Sequence, residues 1–177
     1  MGSRVEEFVF SVFVAVLVAS SFEAAPAGFV DGPKLVGTGV VGSSGAQQGF
    51  SVAISKDGST ALVGGPFDNA NVGAAWVFVR QGGAWTQQHK LLASDSVGTA
   101  WQGASVALSA DGNTAIVGGP NDNSNIGAAW VFTRSGTTWT QQQKLVANNA
   151  VGGAHQGYSV ALSSDGSTAL VGAVFDN

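Results

Sequence analysis

A chain of 177 residues with 10% charged side chains, 26 glycines and no cysteine has room for one ordinary domain, but can hold neither a disulfide framework nor a thiolate zinc site. Val, Ala, Thr and Ser fill much of the remainder, a composition poor in strong helix formers and suited to strands and turns. The formal net charge is −4, and beyond residue 27 the cations Lys34, Lys56, Arg80, Lys90, Arg134 and Lys144 are too scattered to neutralise a phosphate backbone, so nucleic acid is set aside as a partner.

Residues 1–27 read as a secretory signal peptide, expected to be helical. Arg4 precedes an apolar run over residues 8–19, and Ala25-Pro26-Ala27 supplies the small residues of a cleavage site after Ala27. The run falls short of the ~20 apolar residues of a membrane span. Glu6 and Glu7 dilute the positive start, which leaves an uncleaved signal anchor as the alternative. Either way residues 28–177 are expected to be secreted or at the cell surface, with no membrane span in the mature chain. Glu6, Glu7 and Glu23 are the only glutamates, so the mature chain is close to neutral.

Residues 34–50 read as a partial leading strand. From Ser51 onwards the chain repeats itself every 54 residues without a gap: Ser51, Ser105 and Ser159 are equivalent, as are Trp76 and Trp130, Trp85 and Trp139, and Lys90 and Lys144. Roughly two thirds of the positions are identical between 51–104 and 105–158. A third unit runs over 159–177 and stops part-way, so a longer array is expected. Such self-similarity marks a repeat architecture, in which each unit buries its apolar faces only by stacking on its neighbours.

Within a unit the strand signals are regular. An apolar run over 51–55 leads through Asp57-Gly58 into a second run over 60–64, and Asp111-Gly112 and Asp165-Gly166 repeat the pattern, for which a type I′ hairpin turn is expected. A third strand is expected over 73–79. It turns at Gly82-Gly83 into a fourth over 85–92. Along the third strand Trp76 and Phe78 share one face and Ala75 and Val77 the other, so both faces need cover. Four-stranded antiparallel sheets stacked in series supply it, which makes the expected fold all-β with β-propeller-type blades. About three incomplete blades are too few to close a ring, which usually takes about 4–8, so missing blades or a second copy are expected to cover the edges.

The segments Gly49-Phe50-Ser51-Val52-Ala53, Leu62-Val63-Gly64-Gly65-Pro66 and Gly73-Ala74-Ala75-Trp76-Val77-Phe78 resemble the FG-GAP repeat, the blade unit of integrin α-subunit propellers and of many secreted proteins. Ile116-Val117-Gly118-Gly119-Pro120 and residues 127–132 fit equally well, and the resemblance extends over about 34–177. Phe50 is followed by Ser51 where the family has Phe-Gly, and Gly65 or Gly119 stands in place of the alanine before proline. Calcium-binding members carry an Asp-x-Asp-x-Asp-Gly type loop between the first two strands. Here each loop holds one carboxylate (Asp57, Asp111 or Asp165), too few for an ion that takes six to eight oxygens, so no metal residues are carried over.

A second acidic loop, Asp68-Asn69-Ala70-Asn71-Val72-Gly73, recurs at 122–127. Its oxygens suit a hard cation, but Asn and Asp also favour turns by bonding their own backbone, and turn chemistry is the reading adopted. No cofactor is expected, with calcium the alternative. Catalysis finds little: His89 and His155 fall at non-equivalent positions, and no Gly-x-Ser-x-Gly elbow occurs, so no catalytic residue is assigned and the chain is read as non-enzymatic.

Positions kept in every unit hold the blade, whereas those that differ are free to serve a ligand. Trp76, Trp85, Trp130 and Trp139 recur and read as scaffold. Trp101 does not, since its equivalents are Gln47 and His155. These three, beside Phe50, Ala104 and Tyr158, form one candidate ligand-binding ring, and Phe67, Asn121 and Phe175 form another. The function expected is extracellular, non-catalytic binding or adhesion, with a protein or glycan partner. A calcium-dependent structural or surface-layer module, or the propeller part of a larger extracellular enzyme, are the alternatives.

Overall fold

The 54-residue period of the sequence becomes a series of antiparallel sheets. The computed structural model describes residues 32–42 and 45–176, so the leader read over 1–27 lies outside the described residues. The first sheet is β1 (Ser51–Ile54), β2 (Thr60–Gly65), β3 (Ala74–Gln81) and β4 (Ala84–Leu91), each strand bonded to the next in chain order. The second repeats it with β5 (Ser105–Leu108), β6 (Thr114–Gly119), β7 (Ala128–Ser135) and β8 (Thr138–Leu145). A hairpin of β9 (Gln156–Leu162) and β10 (Ala169–Ala173) takes the place of the first two strands in a third sheet. Among the described residues the molecule is thus all-β, built from partial propeller blades.

Register is repeated as faithfully as sequence. Val63 faces Trp76 and Val117 faces Trp130 across the second and third strands, and the third and fourth strands slip register after Val77 in one sheet and after Val131 in the other. The sheets pack face to face in series, β1 against β5 and β5 against β9. Leu62, Ala75, Val77 and Leu91 of the first sheet share one core with Val106, Val117, Trp130 and Phe132 of the second. On the opposite face of the first sheet, Val63, Trp76 and Phe78 are covered by Leu35 and Ala46 of the leading segment.

Trp76 and Trp130 occupy like surroundings. Both are fully buried, and full burial of a large apolar side chain is worth about 1.5–3 kcal/mol or more. The Trp76 ring nitrogen donates to the Thr38 carbonyl at 2.9 Å and that of Trp130 to Asp95 Oδ1 at 2.8 Å. Lys90 and Lys144 lie over the two rings at 5.2 and 5.4 Å from the centroids.

Two glycines let adjacent sheets approach. A Cβ on Gly64 would collide with the Gly103 carbonyl of the next sheet, and one on Gly118 with that of Gly157. The same carbonyls accept the hydroxyls of Ser51 and Ser105, each at 2.8 Å. Glycine and serine together therefore make a specific lock between consecutive blades.

The expected type I′ turn at Asp57-Gly58 is corrected by the structure. Gly58 has φ +69° but Asp57 is not left-handed, and the Gly58 N–H bonds the Ser55 carbonyl at 3.0 Å, so Lys56 and Asp57 are the central residues and Gly58 the fourth. Asp57 fixes this longer loop by accepting from Ser55 Oγ at 2.6 Å, Ser59 N at 2.9 Å and Ser59 Oγ at 2.8 Å. These bonds, the Ser55 hydroxyl foremost, hold its carboxyl at a pKa of about 2. Two consecutive left-handed residues, as type I′ demands, occur instead in the two-residue loop Gly82-Gly83, at φ +58° and +86°.

Candidate functional site

In an up-and-down sheet the start of the first strand, the connection from second to third and the end of the fourth all lie at one end. That end of each blade carries Phe67, Trp101 and their equivalents, whereas the Asp-Gly loops and the turns Gly82-Gly83 and Gly136-Thr137 occupy the other.

Its framework is an ion pair that the sequence reading did not find. Asp68 is fully buried and accepts from Val41 N at 2.7 Å and from Lys90 Nζ at 2.6 Å. Asp122 repeats both contacts with Val97 N at 2.6 Å and Lys144 Nζ at 2.7 Å. A buried carboxylate so engaged is neutralised by its lysine. The loop read as turn chemistry is organised in that way: Asn69, Ala70 and Asn71 have φ of +49°, +52° and +72°, with the same signs in 123–125. Both partners recur at the repeat period, Asp68 with Asp122 and Lys90 with Lys144, and that shared spacing was the available signal.

On this framework stand the variable residues. The Trp101 N–H bonds the Asn71 carbonyl at 3.0 Å and the Gln102 N–H that of Val72 at 2.9 Å, tying the start of one blade to the left-handed turn of the blade before. Gln47, Trp101 and His155 themselves sit at φ of +48°, +59° and +53°. For a bulky residue this region is sterically costly, and it persists only where the surroundings impose it. Here the Ala104 N–H returns to the Trp101 carbonyl at 3.0 Å and the Tyr158 N–H to that of His155 at 3.2 Å.

The two rings read from the sequence are joined by the fold. Phe67 lies edge-on to Trp101 of the next blade, centroids 5.1 Å apart, and to Phe50 of its own at 6.2 Å. His155 meets Phe175 in the same way at 5.2 Å. Phe50, Tyr158 and Phe175 are each more than half exposed. Asn121 stands where Phe67 does in the preceding unit, half-buried, its N–H on the Ala100 carbonyl at 3.2 Å. The Gln47 carbonyl accepts the Phe50 N–H at 3.2 Å. Gln47 lines a shallow groove of about 250 Å³ with Lys34, Val40 and Gln48.

The family model described as FG-GAP repeat matches residues 85–132 and 139–177. The chain is an FG-GAP repeat protein. Each matched FG-GAP segment begins within the fourth strand of one sheet and runs into the next, so the unit of sequence straddles two blades. A search among curated proteins finds none similar to the chain.

Proposed function

We propose that this FG-GAP repeat chain is a secreted, non-catalytic binding module that takes an extracellular protein or glycan on its aromatic rim. Repeats of this family are typical of extracellular or surface proteins, which supports the setting. The observation that carries the reading is the Phe67–Trp101 contact: two rings at positions the scaffold leaves free, brought together across a blade boundary, with Trp101 held on a left-handed backbone. Aromatic side chains are the usual anchors of binding surfaces because they offer large rigid area with little entropy to lose.

The test is a screen on arrays of glycans and matrix proteins, with and without calcium, followed by titration of any hit. Trp101→Ala and Phe67→Ala should each weaken binding by about thirtyfold, the scale of a hot-spot residue at about 2 kcal/mol, while far-UV circular dichroism stays unchanged. Unchanged affinity in both variants would remove the rim as the site.

A further inference from the structure

An Asp-Gly pair is prone to rearrange through a succinimide, because glycine has no side chain to hinder attack of its nitrogen on the neighbouring carboxyl. Each repeat unit places one such pair in the loop between its first two strands: Asp57-Gly58, Asp111-Gly112 and Asp165-Gly166. Ring closure has three requirements. The carboxyl must be neutral, so that its hydroxyl leaves as water; the glycine nitrogen must give up its proton; and the carboxyl must leave its present partners for that nitrogen.

The folded loop meets none of them. Asp57 accepts from Ser55 Oγ, Ser59 N and Ser59 Oγ. Asp111 accepts from Ser109 Oγ and from N and Nδ2 of Asn113, and Asp165 from Ser163 Oγ and from N and Oγ of Ser167. These bonds, that of the preceding serine foremost, favour the ionised form and lower all three carboxyl pKa values, to about 2 at Asp57 and Asp165. The glycine N–H groups are engaged too. Gly58, Gly112 and Gly166 donate to the carbonyls of Ser55, Ser109 and Ser163 at 3.0, 3.0 and 2.9 Å, and a carbonyl is no base to take the proton.

The loops also hold one another. Lys56 N bonds the Ala110 carbonyl and Ala110 N the Ser164 carbonyl, each at 2.9 Å, so the residues that precede the three aspartates form one ladder. Gly112 and Gly166 sit against the unit before: a Cβ on either would lie 2.9 Å from Cβ of Thr60 or Thr114.

We propose that Asp57, Asp111 and Asp165 are latent isomerisation sites, kept as aspartate by the folded loop and converted to isoaspartate when the preceding serine hydroxyl or the fold is lost. The step needs no co-reactant but water. The glycine nitrogen bonds to the aspartate Cγ, the amide proton and the carboxyl hydroxyl leave as water, and water re-enters at the main-chain carbonyl of the ring. The chain then runs through the former side-chain carboxyl, one methylene longer, with a free α-carboxylate. In the first unit that methylene falls inside the turn that sets Ile54 opposite Ala61.

The test keeps the full chain for weeks at mildly acidic pH, folded or in guanidinium chloride, and reads isoaspartate at each site by electron-transfer fragmentation of its peptides. All three sites should convert in denaturant and at least about tenfold more slowly in the folded chain, since each unit by which the pKa falls cuts the neutral carboxyl about tenfold. Ser55→Ala removes the foremost bond to Asp57 and should raise conversion there alone. Ser59→Ala keeps the Ser59 N–H bond and the Ser55 hydroxyl on Thr60 N, and should raise it less. Conversion at all three sites in Ser55→Ala marks an opened fold, and Ser59→Ala then decides, its rise confined to Asp57. Equal rates in folded and unfolded chain would overturn the proposal, and so would conversion at Asp57 that neither variant raises.

Discussion

Leu62 and Leu170 are the same residue at the same repeat position, separated by two periods, and differ in cover: Leu62 is fully buried between two sheets and Leu170 is 71% exposed. Truncating a buried leucine to alanine loses its transfer free energy and leaves a cavity, together about 2–5 kcal/mol. Taking about 3 kcal/mol for Leu62→Ala, and about 2–4 °C per kcal/mol for a chain of this size, the melting midpoint should fall by about 6–12 °C. Leu170→Ala, at an exposed position, should stay within about 0.5 kcal/mol of the native chain. Urea melts followed by tryptophan fluorescence read both variants directly. Equal losses for the two, or less than about 1 kcal/mol for Leu62→Ala, would refute the claim that neighbouring sheets bury each other's faces.

The buried ion pair supplies a second test. Lys90→Met leaves the Asp68 carboxylate without its cation and should destabilise the chain by about 3–5 kcal/mol, while adding Asp68→Asn should recover most of that loss in the same melts. The Asp-Gly loops supply a third, through pH. Asp57 has its pKa lowered from 3.8 to about 2, so its contribution is full above the unfolded value and is lost as pH falls through about 2. Asp57→Asn should flatten part of the stability change across that interval, measured by thermal melts at stepped pH, and an unaltered acid limb would show that the Ser55 and Ser59 bonds do not hold in solution.

The scaffold was legible because periodicity reports burial twice over. Alternation along residues 73–79 identified two apolar faces, the 54-residue spacing showed that like units cover them, and Trp76 and Trp130 are buried as that reasoning requires. The Asp-Gly pair misled in detail, since Ser55 and Ser59 bond the Asp57 carboxylate and draw the loop out to four residues, a choice made by side chains flanking the pair. At the rim, residue types marked Trp101 and Phe67 as variable, but their contact crosses a blade boundary and depends on the angle between sheets. Nor does sequence announce the left-handed backbone at Gln47, Trp101 and His155, because the region is uncommon for any residue but glycine and only histidine among these three is enriched in it. At Trp101 and His155 it is imposed by the Asn71 and Asn125 carbonyls of the preceding turns.

Because the lock between sheets recurs at one constant offset, Ser51 with Gly103 and Ser105 with Gly157, gain or loss of a whole 54-residue period preserves each surviving contact. Slippage during replication, which adds or removes such periods in tandem, thereby yields descendants of altered blade number whose remaining sheets are undisturbed. Partial periods have no such protection, so lineages of this gene should differ in length by multiples of one unit.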